Sequence, residues 1–193
     1  MATKFSLVRL CLKVAVGSVL LGGASAHAAT FERWDGISDH IGLAGGPATL
    51  IARKLTTPVG ETTGAWHYHP GYVYNVVAEG VITVEDGCGE VKHLGAGEAF
   101  ETSEGRVHRA YNLGTVDAVE YNMFINIGEG NHTLTKFIPN DEQRCGPPST
   151  VDECRNGGWT NFDWPEPFAN QGACIAYVNN RPTITLLVPA DPL

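Results

Sequence analysis

The stretch GAWHYHPG, residues 64–71, holds two histidines separated by a single residue. In an extended strand, successive side chains point to opposite faces, so His67 and His69 lie on the same face and can address one point. Trp66 and Tyr68 have the opposite parity. They are predicted to face away from that point and to pack in a core or against another part of the chain.

A third histidine, His108, lies in the strand-like stretch GRVHRAYN, residues 105–112. Imidazole is the commonest side-chain ligand for transition metals, and three converging imidazoles leave coordination positions open. The alternative is a surface pair, because a His-x-His sequence alone often binds no metal. Three further histidines are isolated and are predicted to be surface or loop residues: His40, His93 and His132.

Short runs rich in Val, Ile, Thr and Tyr surround these histidines and are separated by glycines, which is typical of an antiparallel sandwich or barrel. The runs cover residues 48–56, 65–69, 72–78, 81–85, 90–94, 106–112 and 118–126. Hairpin turns are predicted at 79–80 and 86–89, where Gly80 and Gly87 are expected to adopt positive φ. No internal repeat is visible, so the sequence predicts one all-β barrel.

With these motifs the sequence resembles the cupin superfamily. The first cupin motif has His-x-His, a Glu after four further residues, and later a Gly; here the matching residues are His67, His69 and Gly80. The second motif has Gly, Pro, Gly, His and Asn at fixed spacing. The chain supplies Gly97, Ser103 in place of Pro, Gly105, His108 and Asn112. The resemblance covers roughly residues 45–127 and implies a small antiparallel jelly-roll barrel.

The resemblance also implies a divalent metal inside the barrel, held by His67, His69 and His108. The position of the usual glutamate ligand falls on Tyr74, so a site of three histidines is expected. From strand parity, Tyr74 is predicted to point inward with Val76 and Ala78. Its phenol can then serve catalysis by hydrogen bonding to a metal-bound molecule, ligate the metal directly, or only fill space.

Residues 1–28 have the three parts of a secretory signal peptide: a basic start, an apolar stretch at 14–21, and small residues at 22–28. The apolar stretch is too short for a permanent anchor. Cleavage after Ala26 or after Ala28 is equally compatible with the pattern. The mature protein is therefore predicted to be periplasmic or extracellular, without a membrane partner.

Export changes the interpretation of the cysteines. Cys11 leaves with the signal peptide, and an even number remains: Cys88, Cys145, Cys154 and Cys174. In an oxidising compartment two disulfides are predicted, with zinc as the weaker alternative because no Cys-x-x-Cys pair occurs. The shortest loop favours a Cys145–Cys154 bridge, which leaves Cys88 to pair with Cys174.

The predicted organisation is a signal peptide at 1–28, a barrel at 29–127 and an extension at 128–193. The extension is rich in Cys, Pro and aromatic residues and is expected to be irregular, tied by disulfides and packed on the barrel. Two strands are predicted near its end, at 177–178 and 183–188.

The chain of 193 residues carries 13 Lys and Arg against 21 Asp and Glu, a net charge of −8, which disfavours nucleic acid as a partner.

Two functions remain open. The first is a metal-dependent enzyme of oxygenase, isomerase or lyase type that acts on a small oxygen-bearing molecule through Zn, Cu, Mn, Ni or Fe. The second is a non-enzymatic protein that binds a small ligand or the metal itself. A homodimer is compatible with either function. Acid–base candidates are suggested by location alone, and most are expected on solvated faces: Glu79, Glu85, Glu98, Glu101 and Glu120.

Overall fold

Two five-stranded antiparallel sheets dominate the computed structural model, which describes residues 29–41, 46–127 and 134–181. The strand order is β1-β2-β9-β4-β7 in the first sheet and β10-β3-β8-β5-β6 in the second. The strands are β1 (Thr30–Ile41), β2 (Gly46–Thr57), β3 (His67–Tyr68), β4 (Tyr72–Glu79), β5 (Val81–Asp86), β6 (Val91–Gly95), β7 (Ala99–Thr102), β8 (His108–Tyr111), β9 (Ala118–Ile127) and β10 (Lys136–Phe137).

The all-β prediction is confirmed, and each of the seven predicted runs contains a strand. Three strands were not predicted: β1, β7 and β10. The predicted signal peptide, His132 and the strand predicted at 183–188 lie outside the described residues.

Apolar residues between the sheets form two main clusters. Val77, Ile82, Ala110 and Ala118 pack at one place, with exposed fractions of 7% or less. Ile51, Val73 and Phe124 form the second cluster, on the first sheet. Every one of these side chains comes from a strand. Alternation places the residues of one strand on two faces, and the pairing of the strands decides which face turns inward. Both clusters border the candidate site, since Ala110 of the first lines its cavity and Phe124 of the second lies 5.2 Å from the His69 ring, measured between centroids.

The extension contains short helices rather than only irregular chain. They are α1 (Val151–Cys154), α2 (Gln171–Asn179) and 3-10 turns at Pro139–Asp141 and Gly158–Asn161. The strand predicted at 177–178 is wrong, because both residues belong to α2. Asn170 begins that helix by accepting a hydrogen bond from the Ala173 backbone N–H at 2.9 Å, and such an N-cap outweighs the weak strand preference of two residues. Among the described residues, no helix has the length and apolar character that a membrane crossing requires.

Trp66 and Tyr68 face away from the histidines, as their parity predicts, and they contact the extension. Trp66 is 3% exposed and packs with Val107 and Ile138. The ring of Tyr68 lies 5.6 Å from that of Trp164, measured between centroids. The aromatic residues that flank the histidines therefore fix the extension to the outside of the barrel.

The two predicted disulfides are present, but the predicted pairing is wrong. Cys88 bonds Cys145, and Cys154 bonds Cys174. Loop-closure entropy changes slowly with loop length, so the shortest loop is a poor guide to pairing. Instead, the first bridge joins the β5–β6 hairpin to the start of the extension, and the second joins α1 to α2.

Gly80 and Gly87 serve different purposes. Gly80 has a φ of 71°, as expected in the β4–β5 turn. Gly87 does not have the predicted positive φ. A glycine is required there for a steric reason, because a β-carbon would lie 1.8 Å from the carbonyl oxygen of Arg144. The extension thus approaches the β5–β6 hairpin through backbone contact, next to the Cys88–Cys145 bridge.

Candidate metal centre

His67, His69 and His108 lie together inside the barrel. Strand β3 pairs with β8 so that His67 stands opposite His108, and His69 follows two residues later on the same side. One ligand atom from each ring lies within 4.8 Å of the others. The side chains are 6%, 4% and 6% exposed, respectively. The convergence predicted from the spacing of the three histidines is what the structure shows.

A backbone carbonyl fixes each of the three rings. The Nδ1 atom of His67 lies 2.7 Å from the backbone carbonyl oxygen of Ala65. The Nδ1 atom of His69 lies 2.6 Å from the carbonyl oxygen of Leu134, and that of His108 lies 2.9 Å from the carbonyl oxygen of Arg106. A carbonyl oxygen only accepts, so each Nδ1 carries the hydrogen and donates it. In a neutral ring this leaves the lone pair on Nε2, which is the arrangement seen when histidine binds a metal.

Burial keeps these rings neutral. Desolvation lowers the pKa of all three histidines, and that of His108 falls to about 3. The neighbouring rings add to the effect, since a charge on one imidazole opposes a charge on the next. At neutral pH the cluster therefore presents unprotonated nitrogen atoms, which is the state that a metal ion requires.

A cavity of about 350 Å³ adjoins the three histidines. Its other side is formed by side chains of the first sheet, which we call the polar wall: Arg53, Asn75, Thr102, Glu120 and Asn122. The register explains their position, because β9 lies between β2 and β4 and Asn122 stands opposite both Arg53 and Asn75. Leu134, Thr135 and Phe137 of the extension also line the cavity.

Hydrogen bonds hold the polar wall in a fixed arrangement. The Asn122 amide donates to Asn75 Oδ1 at 2.8 Å, and its own Oδ1 accepts from Arg53 Nε at 2.9 Å. The Asn75 amide in turn lies 3.4 Å from Thr102 Oγ1. The guanidinium of Arg53 rests 4.9 Å from the centroid of the Phe124 ring. These contacts determine where the charge of Arg53 lies.

Glu120 is the one carboxylate of the predicted acid–base candidates that reaches the cavity. It is 3% exposed, and burial raises its pKa to about 7, against an opposing effect of Arg53. Glu79, Glu98 and Glu101 are exposed, and Glu85 forms an ion pair with Arg109 at 2.8 Å. A carboxyl group that titrates near neutral pH inside a cleft is typical of a proton donor or acceptor.

Tyr74 does not face the histidines, so its predicted orientation is wrong. On β4 the buried residues are Val73, Asn75 and Val77, while Val76 is 46% exposed. Tyr74 shares the parity of Val76 and pairs with Glu101 and Met123 on the outer face of the sheet. The catalytic role predicted for Tyr74 depended on the inward orientation, and Asn75 occupies that direction instead.

Sequence reasoning missed Arg53, Asn75 and Asn122, although strand parity offered a signal for Arg53 and Asn75. The side chain of Arg53 points to the same face of β2 as those of Ile51 and Leu55, and both of these neighbours are buried. A polar residue in an apolar parity series is a candidate cavity residue. The same pattern places Asn75 in series with Val73 and Val77.

Comparison with known proteins gives one family match and several similar solved structures. Residues 54–125 match the cupin domain family. Similar solved structures include an RmlC-like cupin family protein with a double-stranded β-helix fold from Methanocaldococcus jannaschii, with 14% identity, a TM-score of 0.42, and coverage of 54% of this chain and 85% of that one. A cupin-like protein from Thermotoga maritima has 18% identity, a TM-score of 0.41, and coverage of 61% and 84%. A DMSP lyase from Ruegeria pomeroyi has 18% identity, a TM-score of 0.42, and coverage of 55% and 51%. No curated protein sequence matches the chain.

The segment that matches the cupin domain family carries a cluster of three histidines that could bind a metal ion. The two disulfides of the chain are consistent with an oxidising environment.

Proposed function

We propose that the protein is an exported, metal-dependent cupin enzyme that acts on a small oxygen-bearing molecule. The observation that carries this proposal is the arrangement of His67, His69 and His108, three buried imidazoles whose Nδ1 atoms are bound to backbone carbonyls. Their Nε2 atoms are free to hold one divalent transition metal ion. Imidazole ligands suit Zn, Cu, Ni, Fe or Mn.

A metal ion held by three imidazoles keeps coordination positions open and supplies Lewis-acid chemistry, or dioxygen chemistry if it is redox-active. The residues of the chain supply the rest. The polar wall binds and orients the molecule in the cavity, and Glu120 moves a proton to or from it. The position of Glu120 favours an enzyme over a protein that only binds a ligand, because simple binding needs no group that titrates near neutral pH.

Export is part of the proposal. Residues 1–28 act as the signal peptide, residues 29–127 form the barrel, and residues 128–193 form the extension. The two disulfides support this assignment, because such bonds persist in compartments outside the cytoplasm.

Elemental analysis of the protein purified from its native compartment tests the metal assignment. The expected result is close to one equivalent of one transition metal per chain. The proposal is contradicted if the purified protein contains none and also fails to take up Zn, Mn, Fe, Ni or Cu in a titration. The identity of the metal then separates Lewis-acid from redox chemistry.

Glu120→Gln is expected to stabilise the metal-free protein at pH 8 but not at pH 5. The folded-state pKa of Glu120 is about 7, above the ordinary value of 4.5, so the wild type is fully stable below pH 4.5, where this carboxyl is protonated. It loses stability as the pH rises through 7 and the buried carboxyl ionises, whereas the neutral glutamine of the variant does not ionise. At about 1.4 kcal/mol per pKa unit, the difference between 4.5 and 7 corresponds to a gain of about 3 kcal/mol in the free energy of unfolding at pH 8. Urea unfolding at both pH values measures it. Glu101→Gln, on the exposed outer face, is the control. An equal effect of Glu120→Gln at both pH values would contradict the prediction.

A further inference from the structure

Arg53 is a half-buried cation, and among the described residues it has no carboxylate within ion-pairing distance. It lines the cavity, and burial lowers its pKa, although an arginine stays charged under all ordinary conditions. Over residues 29–41, 46–127 and 134–181, no carboxylate lies within 4.0 Å of its guanidinium, and its one hydrogen bond to another side chain runs from Nε to Asn122. A buried charge is costly unless it is paired. The free Nη edge of Arg53 is therefore complementary to an anion in the cavity.

Glu120 does not neutralise Arg53 by contact. In the register, Arg53 stands opposite Asn122, and Glu120 stands opposite Leu55, two residues away along β2. Its pKa of about 7 also means that its carboxyl group is about half protonated at neutral pH. The cavity therefore keeps a net attraction for an anion, together with a group that can donate a hydrogen bond to it.

The guanidinium is also oriented before any ligand arrives. Asn122 binds Nε and is held in turn by Asn75, while Phe124 supports the flat face of the guanidinium. A planar fork fixed in this way matches the two oxygens of a carboxylate, which it can bind through parallel hydrogen bonds. Arg33 also lines the cavity, but it is paired with Asp35 at 2.6 Å. One unpaired arginine beside a glutamate suits a group with one negative charge better than a doubly charged phosphate.

We infer that the molecule bound by this cavity is a small carboxylic acid whose carboxylate pairs with Arg53 and whose second oxygen-bearing group reaches the three histidines. The cavity of about 350 Å³ limits it to a small molecule. Because the second contact is placed at His67, His69 and His108, the inference rests on the proposed function.

Calorimetric titration of the mature protein at pH 7 with glycolate and pyruvate, each compared with its neutral amide, tests this assignment. Both the zinc-loaded and the metal-free protein are used. The expected result is that at least one acid binds about tenfold or more tightly than its amide in both forms. Equal affinity of each acid and its amide for the metal-free protein would overturn the inference, because Arg53 and not the metal is assigned to the carboxylate.

Arg53→Gln is expected to reduce the preference for the acid to within about twofold. The matched control is Lys54→Gln, which removes the same charge one residue away. Lys54 lies on the other face of β2, where it pairs with Glu32 at 3.6 Å, so its loss should leave the preference unchanged. A preference that survives Arg53→Gln also overturns the inference. If Arg53→Gln does not fold, Arg53→Lys and the metal-free wild type decide the question.

Zinc stoichiometry separates this inference from the proposed function. Zinc bound in wild type and in Arg53→Gln, with no preference for carboxylates, contradicts only the assignment of Arg53. Absence of zinc binding in wild type contradicts the metal site itself.

Discussion

Replacement of both His67 and His69 by alanine is expected to abolish stoichiometric metal binding. The affinity should fall by much more than about a hundredfold, because losing a group that merely orients a metal ligand already costs about 10–100-fold. The fold should persist, since the apolar clusters of the barrel are formed by other residues. Elemental analysis after equilibrium dialysis measures the metal, and circular dichroism measures the fold.

His93→Ala is the matched control for this experiment. His93 lies on β6 of the same sheet, but it is exposed, and its Nδ1 atom is 2.9 Å from Thr83 Oγ1. The control should keep one equivalent of metal. An unchanged metal content in the double variant would show that the ion binds elsewhere.

Removal of the Cys88–Cys145 bridge, as Cys88→Ser with Cys145→Ser, is expected to lower the free energy of unfolding by about 4 kcal/mol. The bridge closes a long loop, with a sequence separation of 57, and the stabilisation by a disulfide increases with loop length. Guanidinium unfolding of the oxidised wild type and of the variant measures the difference.

Cys154→Ser with Cys174→Ser provides the comparison. That bridge has a sequence separation of 20, and its removal should cost about 3 kcal/mol. Peptide mapping under non-reducing conditions should recover the same two pairs. A cross-link between Cys145 and Cys154 would contradict both the structure and these expectations.

The histidine cluster was predictable because its evidence is local. A pair at i and i+2 on a strand defines a face, and His108 follows at the spacing of a known motif. The polar wall depends instead on the register between β2, β9 and β4, which brings Arg53, Asn122 and Asn75 into one row. Residues distant in sequence set that register, so no short stretch of sequence encodes it.

The error at Tyr74 has a related cause. Both faces of β4 are partly apolar, with Val73 and Val77 on one side and Tyr72, Tyr74 and Val76 on the other. Strand alternation says that the two sets differ, but not which one faces inward. Pairing with β9 decides this, because Val73 stands opposite the buried Phe124.

The carbonyl that orients His69 belongs to Leu134, beyond the segment 54–125 that matches the cupin domain family. A barrel cut at residue 127 would keep all three imidazoles but only two of their carbonyl acceptors, and it would lose the wall formed by Leu134, Thr135 and Phe137. The smallest unit that could be transplanted as a working centre is therefore larger than the segment that matches the cupin domain family, since it must also carry the residues of the extension that line the site. Recombination or engineering that exchanges the barrel alone would transfer the ligands without the environment that orients them.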